Sequence, residues 1–129
     1  MPEQSIWLFV IIIALTIGFS MVNGATDAAN AIATVIGSRT LSPRKAIIMA
    51  SILNLVGAAT GLEVARTIGK GIVDPAIITY GVIIAALAAN IIWSTTALRY
   101  GLPTSETHGL IASMAGAALA TAGIQAVIW

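Results

Sequence analysis

The sequence predicts an all-α fold, a polytopic bundle of helices in the cell membrane. Hydrophobic residues make up 58% of the chain and charged residues only 9%, whereas soluble domains carry about 25% charged residues. The mean hydropathy is +0.99. Since apolar surface on this scale is stable in lipid rather than in water, the composition indicates a multi-pass integral membrane protein.

Five apolar segments account for the helices. They run over residues 6–22, 25–37, 46–62, 76–98 and 108–128, with short polar loops at 38–45, 63–75 and 99–107. A membrane-spanning helix needs about 20 predominantly apolar residues, and three of the segments approach that length. Because no internal repeat divides the pattern, residues 1–129 are expected to form a single transmembrane repeat unit.

The first two segments pose a problem of length. Joined as one helix, they would be about 48 Å long at 1.5 Å per residue, against a hydrocarbon core of about 30 Å. We therefore expect a break near Asn23-Gly24. Secondary transporters place substrates and ions at discontinuous or re-entrant helices of this kind, because backbone groups freed at the break become ligands.

The basic residues predict the orientation of the bundle. Arg39, Arg44 and Lys45 share one short loop, and Arg99 follows the segment that returns to the same side. Cytoplasmic loops carry an excess of Lys and Arg, so that side is expected to face the cytoplasm. The loop over residues 63–75, whose charges sum to zero, would then be external, together with Met1.

The composition also argues against several classes of function. The chain has no Cys, which removes disulfides and thiolate metal sites, and its net charge of +1 gives no reason to expect nucleic acid. Residues 6–22 lack the basic n-region and the Ala-x-Ala cleavage pattern of a signal peptide, so they are expected to remain as a helix. We expect neither an enzyme nor a bound cofactor.

Polar residues follow one face of the second segment and its start. Asn23, Asp27, Asn30 and Thr34 fall at i, i+4, i+7 and i+11, which is a single stripe on a helix. The stripe must face protein or water, because a carboxylate at membrane depth costs several kcal/mol in lipid. Asp27 therefore indicates a functional site. Two simpler interpretations stay open: a helix cap at the lipid interface, and hydrogen bonding between helices.

A second polar run, Pro103-Thr104-Ser105-Glu106-Thr107-His108-Gly109, has the composition of a helix start. Its hydroxyl side chains are available as caps, and proline disfavours helix in the residue before it. A helix N-terminus inside a membrane presents free N–H groups and a partial positive charge, which suits a phosphate-like anion. An ordinary interfacial cap is the alternative. His108 is the only His, so it is expected to be a hydrogen-bonded packing residue rather than a metal ligand.

Two amides lie near the centres of their apolar segments. Asn54 and Asn90 occupy positions at which a polar side chain needs a partner. Each is a candidate for lining the same cavity as the polar stripe. For Asn90, hydrogen bonding between helices is an equal alternative, with Ser94 one turn away.

The polar stripe belongs to a longer pattern. Residues Asn23-Gly24-Ala25-Thr26-Asp27-Ala28-Ala29-Asn30-Ala31 resemble the G-A-N-D-x-A-N-A signature of the inorganic phosphate transporter (PiT) family. The resemblance continues in chain order through residues 37–46, 67–74 and 102–108. The signature and these three further stretches follow one another in the same order as in the family, and together they extend over nearly the whole chain.

The resemblance implies a symporter that carries inorganic phosphate with a cation, either sodium or a proton, and that consists of two inverted repeats. This chain resembles one repeat, the N-terminal half, and would need a second copy or a partner chain. Taken together with the stripe, the family pattern implies ligands for phosphate at Asp27, Asn30, Thr104, Ser105 and Thr107. The ligands implied for the cation are Asn23, Asp27, Thr34 and Asn54, with Asp27 as the candidate sodium ligand.

Three departures from the family pattern matter. Thr26 replaces the usual Asn of the signature, which exchanges an amide for a hydroxyl. Glu106 stands where a small hydroxyl residue is common, and it adds a negative charge near the expected anion site unless it points away or is protonated. A full family member also has two repeats, and this chain has one.

Charge explains why transport would be coupled. Phosphate beside an ionised Asp27 in a low-dielectric cavity is repelled by several kcal/mol unless a cation or proton enters with it.

Two alternative functions stay open, a permease for sulfate or other oxyanions and a non-transporting membrane subunit that packs against a full-length partner. Monohydrogen phosphate donates a hydrogen bond to a carboxylate such as Asp27, whereas sulfate does not.

Overall fold

The computed structural model describes residues 3–61 and 71–128, with side chains from residue 6 onward. Four α-helices lie wholly within these ranges, and they confirm the predicted all-α fold. They are α1 (Glu3–Gly37), α2 (Pro43–Thr60), α3 (Tyr80–Tyr100) and α4 (Glu106–Ala122). Short 3₁₀ helices at Pro75–Ile77 and Ile124–Ala126 precede α3 and follow α4. The charges predicted for the external loop at Glu63, Arg66 and Lys70 lie outside the described residues.

Within the described residues, two helices are long and apolar enough to cross a membrane. They are Ile6–Gly37, within α1, and Tyr80–Tyr100, which is α3. Large apolar side chains stay exposed along the outer faces of α1 and α2, among them Trp7, Met21 and Leu55. An apolar surface of this extent suits lipid or further helices rather than water.

The first helix is continuous over 35 residues, so the predicted break near Asn23-Gly24 is wrong. The Thr26 hydroxyl lies 3.1 and 3.0 Å from the carbonyl oxygens of Val22 and Asn23, a bond within the helix itself. A single Gly costs a helix about 1 kcal/mol, less than leaving backbone groups unbonded away from water. The prediction assumed that the whole helix must fit within the hydrocarbon core. A helix of about 52 Å can instead tilt in the membrane or project beyond the core.

The helices form two antiparallel hairpins, α1–α2 and α3–α4, and the second hairpin packs against α1 of the first. Ile32 of α1 lies across a cleft from Met49 of α2, near the turn that joins these helices. In the second hairpin, α4 returns along α3 after the turn at residues 101–105. Gly18 approaches Ile91, so α1 and α3 pack side by side.

One face of α3 forms the centre of the second hairpin. All of its buried residues except Leu87 recur every three or four positions, at Val82, Ala86, Asn90, Ser94 and Ala97. This spacing places them in one stripe along the helix. The stripe is apolar at its start and polar further on, so the buried interior contains both an apolar and a polar section.

Caps fix the ends of the second hairpin. The Thr79 hydroxyl accepts a hydrogen bond from the Val82 N–H at the start of α3. Gly101 ends α3 with a φ of 65°, in the left-handed region that favours glycine. Ser105 then caps α4 by accepting from the His108 N–H. These caps hold the turn at residues 101–105 in a defined place.

Candidate functional site

Polar residues gather at three places around α1, and two of these places contain residues that the sequence predicted as ligands. One is a cleft between α1 and the end of α3, called here the α1–α3 cleft. A second, the α1–α2 cleft, lies on another side of α1. The third is the Glu106 cluster, consisting of Glu106 with the hydroxyls of Thr26 and Ser94.

The α1–α3 cleft has a volume of about 290 Å³ and brings together two residues predicted to bind phosphate, Asn30 and Thr104. The Asn30 amide reaches it from α1, and Thr104 comes from the turn before α4. The lining residues are Ala25, Thr26, Ala29, Asn30, Leu98, Gly101, Leu102, Pro103 and Thr104. None of these side chains carries a charge, so the cleft offers neutral hydrogen-bonding groups to a ligand.

The turn that contributes Thr104 lies beside the second half of α1, well before its end. Thr26, which contacts the first residue of α4, is about 16 Å from the end of α1 at 1.5 Å per residue. Ser105 is the N-cap of α4, and its hydroxyl lies 2.8 Å from His108 Nδ1. His108 is exposed and hydrogen-bonded. The first turn of α4, the positive end of its helix dipole, therefore begins next to the α1–α3 cleft.

The α1–α2 cleft brings together two residues predicted to bind a cation, Asp27 and Asn54. Its volume is also about 290 Å³, and its other lining residues are apolar or small. The Asp27 side chain is exposed within the isolated chain. A carboxylate and an amide oxygen at the wall of one cleft are ligands that suit a hard cation.

The polar stripe on α1 does not form one site. Asp27 and Asn30 line different clefts, because a step of three residues turns a helix by about 60° and α1 is packed between α2 and α3. Asn23 is partly buried, and its Oδ1 has no hydrogen-bond partner. Thr34 and Thr107 are exposed and line neither cleft. Asp27 is thus placed with the residues predicted for the cation, not with those for phosphate.

Asn54 and Asn90 do not share a cavity. Asn54 lines the α1–α2 cleft, whereas Asn90 is fully buried between α3 and α4. Neither side-chain polar atom of Asn90 has a hydrogen-bond partner among the residues that the structure describes. Neither of the two alternatives considered for Asn90, lining the cavity of the polar stripe or hydrogen bonding between helices, describes its place among the described residues, whereas Ser94, one turn on, bonds across to Glu106.

Glu106 points away from the α1–α3 cleft. It is the first residue of α4, and its side chain is only 4% exposed. The Ser94 hydroxyl donates to Oε2 at 2.6 Å, and the Thr26 hydroxyl lies 3.3 Å from Oε1. Thr26 also lines the α1–α3 cleft, so it is the one side chain that touches both places.

Ser94 and Thr26 are site residues that the sequence predictions missed. Ser94 is one turn from Asn90 on α3, and this i, i+4 spacing in an apolar segment was the available signal. Thr26 occupied a signature position, but its contact with a residue 80 positions away depends on how α1 packs against α4. Sequence spacing alone does not give that packing.

Comparison with known proteins identifies the family. A model of the phosphate transporter family matches residues 23–129, which include both clefts and the Glu106 cluster. The chain belongs to the phosphate transporter family. The predicted resemblance is therefore confirmed, and so is the prediction that the chain is not an enzyme, because the related proteins carry transporter names.

Two curated relatives are each named "Probable low-affinity inorganic phosphate transporter". The chain is 46% identical to the one from Bacillus subtilis over 93% of its length and 42% identical to the one from Rhizobium meliloti over 95%. It spans only 37% of the length of each relative. A solved structure called "The sodium-dependent phosphate transporter" superposes with a TM-score of 0.83 at 31% identity, over 93% of this chain and 31% of the other.

Proposed function

We propose that this member of the phosphate transporter family is one repeat of a multi-pass cell-membrane symporter that carries inorganic phosphate together with a cation. The names of its relatives support phosphate as the substrate. The name of the structural neighbour supports sodium, rather than a proton, as the coupling ion. Two membrane-capable helices and the apolar outer surface support the location in a lipid bilayer.

One observation carries the assignment of the phosphate site: the capped start of α4 adjoins the α1–α3 cleft. Helix N-termini bind phosphate because their first N–H groups lack partners and carry partial positive charge. Asn30, Thr104 and the N-cap residue Ser105 add neutral donors. Because the cleft lining has no carboxylate, phosphate there would not face Asp27 directly.

The coupling cation is assigned to the α1–α2 cleft. Asp27 and Asn54 supply oxygen ligands on one side of α1, while the proposed phosphate site lies on the other. An unneutralised carboxylate near the phosphate would repel it by roughly 1–4 kcal/mol, depending on the effective dielectric constant. A cation at Asp27 removes that repulsion, and this dependence is the proposed origin of coupling.

The chain would act as half of a transporter. It spans about a third of the length of its curated relatives, and Asp27 is exposed in this chain. Alternating access needs two repeats that enclose one site near the middle of the membrane. A second copy of this chain in the opposite orientation, or a partner chain, would supply the other repeat.

Uptake of labelled phosphate tests this function. Membrane vesicles from cells that produce the chain, with the second repeat it assembles with, are given an inward sodium gradient, an equal potassium gradient, or a proton gradient alone. We expect concentrative uptake with sodium, inhibited by excess unlabelled phosphate and not by sulfate. Inhibition by sulfate would indicate a general oxyanion permease, and absence of uptake above empty vesicles would favour a non-transporting subunit.

A further inference from the structure

The turn between α1 and α2 carries a concentrated positive charge, and we call Arg39, Arg44 and Lys45 the basic turn. All three side chains are exposed. They are the only charged side chains over residues 28–62, so no carboxylate in this stretch neutralises them. None of the three has a hydrogen-bond or ion-pair partner among the described residues. The basic turn is therefore open to an anionic ligand.

Arg39 holds its charge at a backbone position that favours glycine. Its φ is 57°, in the left-handed region, and its N–H donates to the carbonyl oxygen of Ile36 at 3.0 Å just beyond the end of α1. A side chain in this conformation is strained, whereas glycine adopts it freely. Strain of this kind is concentrated at ligand-binding and other functional sites. The guanidinium group of Arg39 is thus a candidate ligand-binding group.

An open apolar groove begins at the basic turn and follows α2, and we call it the α2 groove. Its volume is about 370 Å³, and it is lined by Lys45, Ile48, Met49, Ile52 and Leu53. These residues fall at i, i+3, i+4, i+7 and i+8, which is one face of a helix. The four apolar side chains are 41–61% exposed. The groove is therefore apolar along its length and cationic at one end.

The length of the α2 groove fits one leaflet of a bilayer. From Lys45 to Leu53 the helix rises by about 12 Å at 1.5 Å per residue. One leaflet contributes about half of a hydrocarbon core of about 30 Å. A positive end followed by an apolar face of this length complements a ligand with an anionic headgroup and a long acyl chain. A soluble anion would use the charge alone, and a neutral lipid would use the groove alone.

We propose that the basic turn and the α2 groove bind one anionic phospholipid. Its phosphate would lie against Arg39, Arg44 and Lys45, and one acyl chain would follow Ile48 and Ile52. Clusters of Lys and Arg at a membrane surface attract anionic headgroups, and the apolar face adds contact with the chain. The proposal rests on the location in a lipid bilayer and does not require phosphate transport. The bound lipid would anchor the turn that joins the two helices of the α1–α2 cleft.

A second repeat that closes the α1–α2 cleft would leave the start of the α2 groove open. Asn54 follows Lys45 by nine residues, which at 3.6 residues per turn places them on opposite sides of α2. Asn54 lines the α1–α2 cleft, whereas Lys45 lines only the groove. Met49 and Leu53 line both and mark the boundary between them. Lipid and second repeat therefore occupy different sides of the same helix.

Quenching by brominated lipid tests which lipid contacts this face. The chain has no Cys, so Val56→Cys provides a single labelling site one turn beyond the groove, where a fluorescent label does not occupy it. The labelled chain is reconstituted in phosphatidylcholine vesicles with a minor fraction of phosphatidylglycerol, and one of the two lipids is brominated near the end of its acyl chains. Both leaflets have the same composition, so the result does not depend on the orientation of insertion.

We expect phosphatidylglycerol at the Val56→Cys label to exceed its share of the bilayer at least about fivefold, which is the effect of one Lys or Arg near an anionic surface. Leu55→Cys is the control label, because Leu55 is exposed at almost the same depth, about 100° round the helix, and does not line the groove. Phosphatidylglycerol at that label should stay close to its share of the bilayer.

Variants of the basic turn identify the charge. Combining Arg39→Gln, Arg44→Gln and Lys45→Gln should lower the enrichment at position 56 to the level at position 55. Arg39→Gly is the sharper single variant, because glycine relieves the left-handed backbone and keeps the fold while one charge is lost, so enrichment should fall several-fold. Arg99→Gln is the matched control, since Arg99 is an exposed basic residue at the end of α3, outside the basic turn, and enrichment should not change.

Three results overturn the inference. They are equal enrichment at the two labels, enrichment that survives loss of all three charges, and loss of quenching by both lipids at position 56 alone, which would show that protein covers this face. Phosphate uptake by vesicles is a separate measurement. Enrichment without uptake would remove the transport function and leave the lipid site, whereas uptake without enrichment would do the reverse.

Discussion

The Ser94 hydroxyl donates a 2.6 Å hydrogen bond to Glu106 Oε2 across the buried interface of the α3–α4 hairpin. The two residues are 12 positions apart, on either side of the turn that supplies Thr104 to the α1–α3 cleft. A short bond to a carboxylate in a low-dielectric interior is stronger than a neutral one. It therefore holds the start of α4 against α3, at the place where the proposed phosphate site begins.

Replacing Ser94 by Ala should destabilise the hairpin. The substitution leaves a buried carboxylate oxygen without its donor, and such losses cost about 1–3 kcal/mol. The measurement is the free energy of unfolding in detergent, in sodium-free buffer, followed by circular dichroism. Thr96→Ala serves as the control, because Thr96 is exposed and bonds to Ile92 of its own helix. Its effect should stay within about 0.5 kcal/mol, and equal losses in both variants would contradict the prediction.

Gly109 and Gly116 should respond in opposite directions to replacement by Ala. A Cβ at Gly109 would clash with Asn90 Oδ1, so Gly109→Ala should cost about 1–3 kcal/mol through overpacking. A Cβ at Gly116, in the same helix, would meet nothing within 4 Å, so Gly116→Ala should be neutral or gain up to about 1 kcal/mol of helix propensity. Thermal unfolding of the two variants gives the comparison.

The double variant Gly109→Ala with Asn90→Ala checks the cause. If the Asn90 side chain is the obstacle, shortening it should recover much of the stability lost in Gly109→Ala, with a coupling energy of roughly 0.5–3 kcal/mol. Strictly additive losses in the double variant would show that the Cβ clashes with something other than Asn90.

The all-α fold was predictable because apolar composition determines it, whereas the continuity of α1 and the arrangement of the site were not. Caps and turn residues such as Ser105 and Gly101 lie where the polar run of residues 99–107 predicted an interruption. By contrast, the separation of Asp27 from Asn30 follows from α2 and α3 packing on different sides of α1. Helical periodicity predicted one polar face, and it contains no information about which neighbouring helix covers each part of that face.

Glu106 illustrates the same limit. Its sequence position beside three hydroxyl residues predicted a charge close to the anion site. The structure turns it instead towards Ser94 of α3 and Thr26 of α1, because the first residue of α4 faces the buried interface. A contact between residues 80 positions apart requires the tertiary arrangement of three helices. Local sequence rules for helix starts do not contain that arrangement.

Asp27→Asn should abolish cation-coupled phosphate uptake and leave the protein inserted in the membrane. The substitution removes the charge proposed to recruit the cation and changes the shape of the side chain little. Uptake of labelled phosphate by membrane vesicles with an inward sodium gradient is the measurement. Asp74→Asn is the control, because Asp74 caps the short 3₁₀ helix before α3 by accepting from the Ala76 N–H, away from both clefts. Near-normal, sodium-dependent uptake by Asp27→Asn would remove Asp27 from the mechanism.

Thr104→Ala should weaken phosphate binding more than it lowers expression. Thr104 lines the α1–α3 cleft, and one lost hydrogen bond to a charged ligand is worth about 1.5–3 kcal/mol, or a factor of at least about ten in affinity. The half-saturating phosphate concentration for uptake is the measurement. Thr121→Ala provides the control, since the Thr121 hydroxyl bonds to carbonyl oxygens of its own helix near the other end of α4. Similar half-saturation in both variants would exclude Thr104 as a phosphate ligand.

The chain alone should not transport phosphate, because a single repeat leaves its polar residues facing lipid. Asp27 and Asn30 are exposed in the isolated chain, and α2 is exposed along nearly its whole length. Unsatisfied polar groups in hydrocarbon cost several kcal/mol each, so a second repeat that covers them should be strongly favoured. Light scattering of the purified chain in detergent should therefore find a dimer, or a complex with a partner chain. Two copies cover each other's sites in the inverted arrangement only if they insert in opposite orientations. A Cys introduced at Ser38, in the α1–α2 turn, would reveal this, because it would then be labelled from both sides of the membrane. A stable monomer that still concentrates phosphate after reconstitution would refute the requirement for two repeats.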